Sequence, residues 1–403
     1  MNKKYAILKN KSISAFVASQ VLYTGIASVV GIFINTFLLK FFGDNSTNVL
    51  FYNLVSALVQ PFAMLLAIAI SNKGNGVTVQ RIGFVFYGIA CVFLAIFGEK
   101  VAPYYLLFAV IMSFGAGFYF TPYACQMVSY MQDESRDFVS GIITFTATII
   151  CIILPLISGY LMSSLGFLGY QIMFGVVALM ALCALVSSIW LAPLRKTELQ
   201  RQTSFITVLK TILKSKEGLK NMIASGIDNC RTHTITFYLP VLMYMAIKNE
   251  MFISVTSVAG SIASVLSALL YAVMIIPKNR IKAVFIAILV NSIASLPMIF
   301  YFAPISIMIF SVARSFCNIF IATPILNSYL AYIDSMPSLK GMEAEVHTVR
   351  ELFVTSGRVL GIAIIFIIPQ TIYGMVATLV ILTASCFISG WLVKDTKVAK
   401  IDG

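Results

Sequence analysis

Twelve apolar runs, most about 20 residues long and parted by short polar stretches, limit what this chain can become. They cover residues 13–39, 49–71, 83–98, 102–128, 138–164, 169–193, 221–247, 252–276, 283–302, 305–332, 352–369 and 372–393. A hydrocarbon core about 30 Å thick is crossed by about 20 residues of helix. Inside it every backbone N–H and C=O must find a partner within the protein, which leaves helices for segments of this length. The expected fold is therefore all-α, a polytopic membrane protein of twelve transmembrane helices. Composition agrees: 60% of the 403 residues are apolar, 11% are charged and mean hydropathy is +0.95, against about 25% charged residues in a soluble domain. The basic start, Met1 to Lys11, precedes a run too long for a signal-peptide core, so it reads as the approach to a retained first span.

The net charge of +13 would point to nucleic acid in a soluble protein; here its placement decides otherwise. An even number of spans puts both termini on one side. With that side taken as inside, its segments hold 22 of the 28 lysines and arginines, the opposite loops only Lys40, Lys100 and Lys248, and the spans Arg231, Arg314 and Arg358. Basic loops stay in the cytoplasm, so both termini are expected there and no nucleic-acid partner is implied. The Lys/Asn/Ile-rich composition looks bacterial, which places the chain in a bacterial cytoplasmic membrane and makes the sequon Asn45-Ser46-Thr47 accidental.

The longest polar interruption, Arg195 to Lys220, divides the chain into residues 1–194, a linker of 195–220, and 221–403. Within the linker Phe205, Ile206, Leu209, Ile212 and Leu213 recur at helical spacing beside Lys210, Lys214 and Lys216, as in a basic amphipathic helix on the inner leaflet. The halves are related. At an offset of 202, Ser113 to Pro122 aligns without gaps on Ser315 to Pro324 with five of ten residues identical, Thr-Pro included. Each segment runs on into a charged inner loop, Asp133 to Asp137 in the first half and Glu343 to Glu351 in the second. Since six is even, this is a parallel repeat about an axis along the membrane normal, giving two pseudo-symmetric six-helix bundles.

Twelve spans in two halves, a long basic central loop and inside termini resemble the major facilitator superfamily of secondary transporters over essentially the whole chain. Local signatures are degenerate. Ser71 to Gly76 follows span two where members carry a Gly-, Asp- and Arg/Lys-rich motif, and the Asp is missing, though Lys73 and Arg81 keep positive charge nearby. Leu154 to Gly159 in span five keeps only the Pro and final Gly of an exporter pattern, which leans toward export. The resemblance implies alternating access to a cavity lined by spans 1, 4, 7 and 10. Their polar residues are Gln20, Tyr23, Thr24 and Asn35; Tyr119, Tyr123 and Gln126; Asp228, Asn229, Arg231, His233 and Tyr238; and Arg314, Asn318 and Asn327. Of these, Gln20, Tyr119, Tyr123, Arg231, Arg314 and Asn318 are the expected substrate contacts.

Other classes lack their chemistry. The two histidines, His233 and His347, belong to no HExxH motif, and there is no GxSxG elbow, Walker loop or acidic metal cluster, so neither an enzyme nor an ATP-driven pump is expected. The seven cysteines stand singly in apolar stretches, as core residues. No cofactor is implied. The partners are a small-molecule solute and membrane lipid, with the chain acting as a monomer. The function expected is proton-coupled export of a small organic solute; import of an anionic or zwitterionic metabolite, or a sensor role without transport, are the alternatives.

Two sets of charges carry mechanistic expectations. At the inner mouth Asp133, Glu134, Arg136 and Asp137 stand in positions pseudo-equivalent to Glu343, Glu345, Arg350 and Glu351, and ion pairs of Arg136 and Arg350 are expected to form when that mouth closes. In span seven, Asp228 lies about 10 Å and Arg231 about 15 Å from the start at Asn221, three residues apart and so on one face. A charge at such depth costs at least about 2.5–3.5 kcal/mol. Arg314 adds a second deep cation, so one acid faces two arginines. That excess points to an anionic or zwitterionic substrate, with Asp228 as the proton-coupling group and paired to either arginine.

This topology has a direct check. Single cysteines at Asn45 and Thr203 in a cysteine-free chain should differ: Asn45→Cys reacts with an impermeant maleimide on intact cells and Thr203→Cys does not. External labelling of Thr203→Cys would end the twelve-span scheme.

Overall fold

The computed structural model describes residues 10–394 except residues 44, 131–132, 195–204, 276–278, 337–338 and 340–341. Twelve long helices run through them: α1 Lys11–Phe41, α2 Ser46–Lys73, α3 Gly76–Phe97, α4 Tyr105–Ser129, α5 Asp133–Leu165, α6 Phe167–Ser187, α7 Lys216–Ile247, α8 Glu250–Met274, α9 Arg280–Phe300, α10 Pro304–Asp334, α11 Glu343–Ile367 and α12 Ile372–Lys394. Asparagine and serine begin many of them, each accepting a backbone N–H that the first turn leaves open. Asn45 accepts from Thr47, Asn75 from Val77, Ser215 from Gly218 and Asn249 from Met251. The sequon asparagine is thus the N-cap of α2.

Nine apolar segments among the described residues are long enough to cross a bilayer, and one of them, Gly76–Tyr123, holds both α3 and α4. The two helices missing from that set are α7 and α11. Their polarity comes from Asp228, Arg231 and His233 in α7 and from Glu351 and Arg358 in α11.

Two elements differ from the sequence reading. Helix α11 starts nine residues before the apolar run at 352, and α5 starts at Asp133. The two charged segments expected as loops are therefore opening turns of helices. Glu345 sits in the first turn of α11, where the helix dipole favours negative charge, a gain that hydropathy does not register. The linker helix spans Phe205–Lys214 and buries Val208 and Ile212 while Ile206 and Leu213 stay exposed.

The chain forms two compact units, Met1–Thr203 with Glu343–Thr348, and Ser204–Met342 with Val349–Gly403. Helix pairing repeats with a shift of six. In the first unit α4 packs on α2 and α3, and α6 on α1 and α3; in the second α10 packs on α8 and α9, and α12 on α7 and α9. The serines aligned by the sequence repeat bridge equivalent helices. Ser113 donates to the Ser56 carbonyl on α2 at 3.1 Å, and the Ser315 carbonyl accepts from Ser264 on α8 at 3.3 Å. Pro122 and Pro324, the other aligned landmark, lie inside α4 and α10.

Helices α7 and α11 cross almost backbone to backbone. A Cβ on Gly357 would fall 1.8 Å from the Gly226 carbonyl oxygen, and one on Gly361 2.1 Å from Thr234 Oγ1. Small residues at such a crossing let helices approach closely in a membrane, where packing replaces the hydrophobic effect. Gly357→Ala should lower the melting temperature in detergent, at a cost of about 1–3 kcal/mol for overpacking. Gly31→Ala, where a Cβ meets nothing within 4 Å, should leave it unchanged; equal melting of the two variants would refute the tight crossing.

Candidate functional site

The deep charges of the second unit come together on α7 and α10. Arg231 stands about 22 Å from the start of α7 by the helical rise, near the middle of its 32 residues. It is fully buried. One terminal nitrogen, Nη2, donates to Asp228 Oδ1 at 2.9 Å and to Asn318 Oδ1 on α10 at 2.8 Å. Thr232 donates to the same Asp228 oxygen at 3.5 Å. The Cys386 thiol of α12 lies beside the guanidinium. Its Nε and Nη1 have no hydrogen-bond partner among the described residues. The i,i+3 spacing makes the Asp228 contact possible, and the α7–α10 packing brings in Asn318.

Arg314, half-buried on α10, donates through Nη2 to Thr236 Oγ1 on α7 at 2.8 Å. No carboxylate among the described residues pairs with it. Arg231 is close enough for the two cations to oppose one another. Of the two pairings the sequence left open, the structure contains Asp228 with Arg231.

A second charged set joins α7 to α11. Arg358 Nη1 donates to Glu351 Oε1 at 2.7 Å, two turns back on the same helix. His233 faces Arg358 and meets Phe237 edge-on at 5.7 Å between ring centroids. Glu351, expected at the gate, is thus engaged within its own helix. Arg350 lies over the Tyr329 ring at 5.1 Å and approaches Ser225 Oγ at 3.4 Å. The side chains of Asp133, Glu134, Arg136, Asp137 and Glu343 lie outside the described residues.

The first unit presents rings in place of charges. Phe16, Tyr123, Tyr119 and Tyr23 form a near-parallel ladder with centroid steps of 6.1, 6.0 and 3.5 Å. The Tyr119 hydroxyl donates to Gln20 Oε1, while Gln20 Nε2 is buried without a partner among the described residues. Other expected polar residues bridge helices: Asn53 donates to Asn35 at 2.8 Å, Gln126 is bonded to Gln80, and Tyr238 donates to Gln370 at 2.8 Å. Arg81 donates to the Ser188 carbonyl at 2.9 Å, so it caps the end of α6.

Sequence reasoning missed Thr236, Cys386 and the Glu351–Arg358 pair. The seven-residue spacing of that last pair, two turns on one face, was the signal available for it. Nothing in the sequence singles out Thr236 or Cys386, which became neighbours only through helix packing.

The Major Facilitator Superfamily profile matches residues 15–365. The chain belongs to the Major Facilitator Superfamily. It is accordingly a multi-pass secondary transporter and not an enzyme. Among curated relatives, an uncharacterized protein encoded beside sodM in Geobacillus stearothermophilus is 27% identical over 41% of this chain and 77% of its own. The uncharacterized YqgE of Bacillus subtilis (strain 168) is 20% identical over 92% of this chain and 86% of its own. The fold is shared with the nucleoside transporter NupG, at a TM-score of 0.65, 12% identity and coverage of 95% and 99%. The POT family transporter PepTSo gives 0.68, 11%, and 98% of both chains. The human organic anion transporter MFSD10 gives 0.61, 12%, 98% and 100%.

In this superfamily member the Asp228–Arg231 pair also has a structural consequence. Asp228→Leu strands a buried guanidinium and should cost about 3–5 kcal/mol, whereas a buried pair replaced whole by apolar residues is often neutral. The melting temperature of Asp228→Leu/Arg231→Met should recover most of the loss seen in Asp228→Leu. A double variant that melts as low as the single would show that the pair is not a self-contained unit.

Proposed function

We propose that this protein is a proton-coupled transporter of a small anionic or zwitterionic organic solute in the bacterial cytoplasmic membrane, working as a monomer with both termini cytoplasmic. The observation that carries the reading is the charge balance at the α7–α10 contact: among the described residues one carboxylate, Asp228, stands against two cations, Arg231 and Arg314. Arg231 is committed to Asp228 and Asn318. Among the described residues Arg314 is held only by a neutral hydroxyl, that of Thr236. A negative group on the solute would compensate Arg314 first.

Asp228 supplies the coupling. Protonation removes its charge from Arg231, whose guanidinium stays held by Asn318 and can then take the solute's negative group. Departure of the solute restores the pair and expels the proton on the same side, so solute and proton move together and an inward proton gradient drives uptake. A ligand shifts such an equilibrium only by its differential affinity for the two states; here that difference is the exchange of one carboxylate for another. Tyr119, Tyr123 and Gln20 are the first unit's candidates for contact with the solute's uncharged part. The Pro155–Gly159 pattern of α5 leans the other way, toward export, and the gate role of Asp133, Arg136, Arg350 and Glu351 rests on their positions in the repeat.

An untargeted comparison of medium and cytosol between a deletion strain and its parent supplies the solute. In liposomes Asp228→Asn should then abolish accumulation driven by a pH difference and retain solute-for-solute exchange. Arg314→Gln should weaken solute binding at least tenfold. Accumulation by Asp228→Asn driven by a pH difference alone would overturn the coupling role. Purified protein that moves no solute down any gradient would favour a sensor.

A further inference from the structure

A cleft of about 390 Å³ opens between the end of α8, the first half of α9 and the middle of α10, wholly within the second unit. Its floor is made of small side chains, Ala287 and Cys317, which belong to the buried core. Its rim is apolar and faces outward: Met274 and Ile286 are 60% and 61% exposed. The polar lining residues, Asn279 and Lys282, both lie at one end. The Asn279 amide is spent on the Met274 carbonyl at 2.9 Å, while Lys282 is exposed and makes no ion pair among the described residues. Arg280, engaged by Tyr271, adds a second cation at the same end.

Lys282, Ile286 and Val290 follow one another at four-residue steps, so they share a face of α9. The trough they mark runs about 12 Å along the helix, from a cationic mouth at the helix end into hydrocarbon depth. An amphiphile with a negative head and an apolar tail has that layout. Water-soluble anions do not, since nothing beyond Lys282 would bind them. We infer that this cleft is a specific site for an anionic phospholipid, with the phosphate at Lys282 and one acyl chain in the trough. The first unit supplies a contrast. Its cleft of about 500 Å³ between α3 and α6 is lined by Phe84, Gly88, Leu182 and other apolar residues with no charged one, and so selects no headgroup.

Native mass spectrometry of the purified full chain, titrated with dioleoyl phosphatidylglycerol or dioleoyl phosphatidylcholine, tests the assignment. The wild type should retain one phosphatidylglycerol in preference to phosphatidylcholine. Lys282→Ala should weaken that retention roughly fivefold, the effect of one basic residue at a membrane surface. Ala283→Trp, which fills the trough, should weaken retention of both lipids. Gly88→Leu, in the first unit's cleft, should leave the preference intact. Equal retention of the two lipids, or a preference unchanged in Lys282→Ala, would overturn the inference. So would a preference lost equally in Gly88→Leu, or a dimer mass that Ala283→Trp abolishes, which would make the cleft a contact between copies.

Discussion

A hydrocarbon interior offers no water to a polar group, so each buried donor and acceptor has to find its partner in the protein. That constraint turns the backbone into twelve helices and then governs the side chains. Hydroxyls and amides bond back to carbonyls a turn away, as Thr121, Ser158 and Thr383 do, or bridge helices, as Asn35 and Asn53 do. Charges are harder to place. Arg231 carries the heaviest burden, because a deep cation costs at least about 2.5–3.5 kcal/mol and it is fully buried. One carboxylate and one amide meet a single nitrogen of its guanidinium, and the remaining N–H groups have no hydrogen-bond partner among the described residues.

An arrangement satisfied on one side only is suited to exchange. In the proposed cycle Asn318 keeps the guanidinium in position while its negative partner changes. Anchoring and pairing fall to different groups: Asn318 is a neutral amide and Asp228 a carboxylate. The close crossing of α7 and α11 at Gly226 and Gly357 lies near Asp228 on α7, and the same helix pair holds His233 near Arg358 and Glu351. Charge therefore concentrates on the two helices least able to enter a membrane on apolarity alone, and their packing against α10 and α12 or against one another shelters it.

Much of this was legible in the sequence. Apolar runs of about 20 residues located all twelve helices, since a helix immersed in lipid is apolar along its length. The ungapped Ser113 and Ser315 match disclosed the repeat, and those two serines bridge equivalent helices. The i,i+3 spacing of Asp228 and Arg231 foretold their contact, because geometry within one helix is fixed by sequence. Contacts between helices were not foretold. Neither Asn318 as the second anchor nor Thr236 as the partner of Arg314 follows from spacing, for each depends on how α10 is rotated against α7. The overrun of α11 to Glu343 was hidden because acidic residues stabilise a helix start while lowering hydropathy.

The central claim is that the Asp228 carboxyl changes protonation as its hold on Arg231 is released. Difference infrared spectroscopy of the full chain in lipid, recorded between alkaline and acidic pH, reads carboxyl protonation without knowledge of the solute. The wild type should show a protonated-carboxyl C=O stretch that is missing from Asp228→Asn and otherwise identical spectra. Spectra that superimpose over the whole range, with no band assignable to Asp228, would make the pair a permanent packing element and contradict the account.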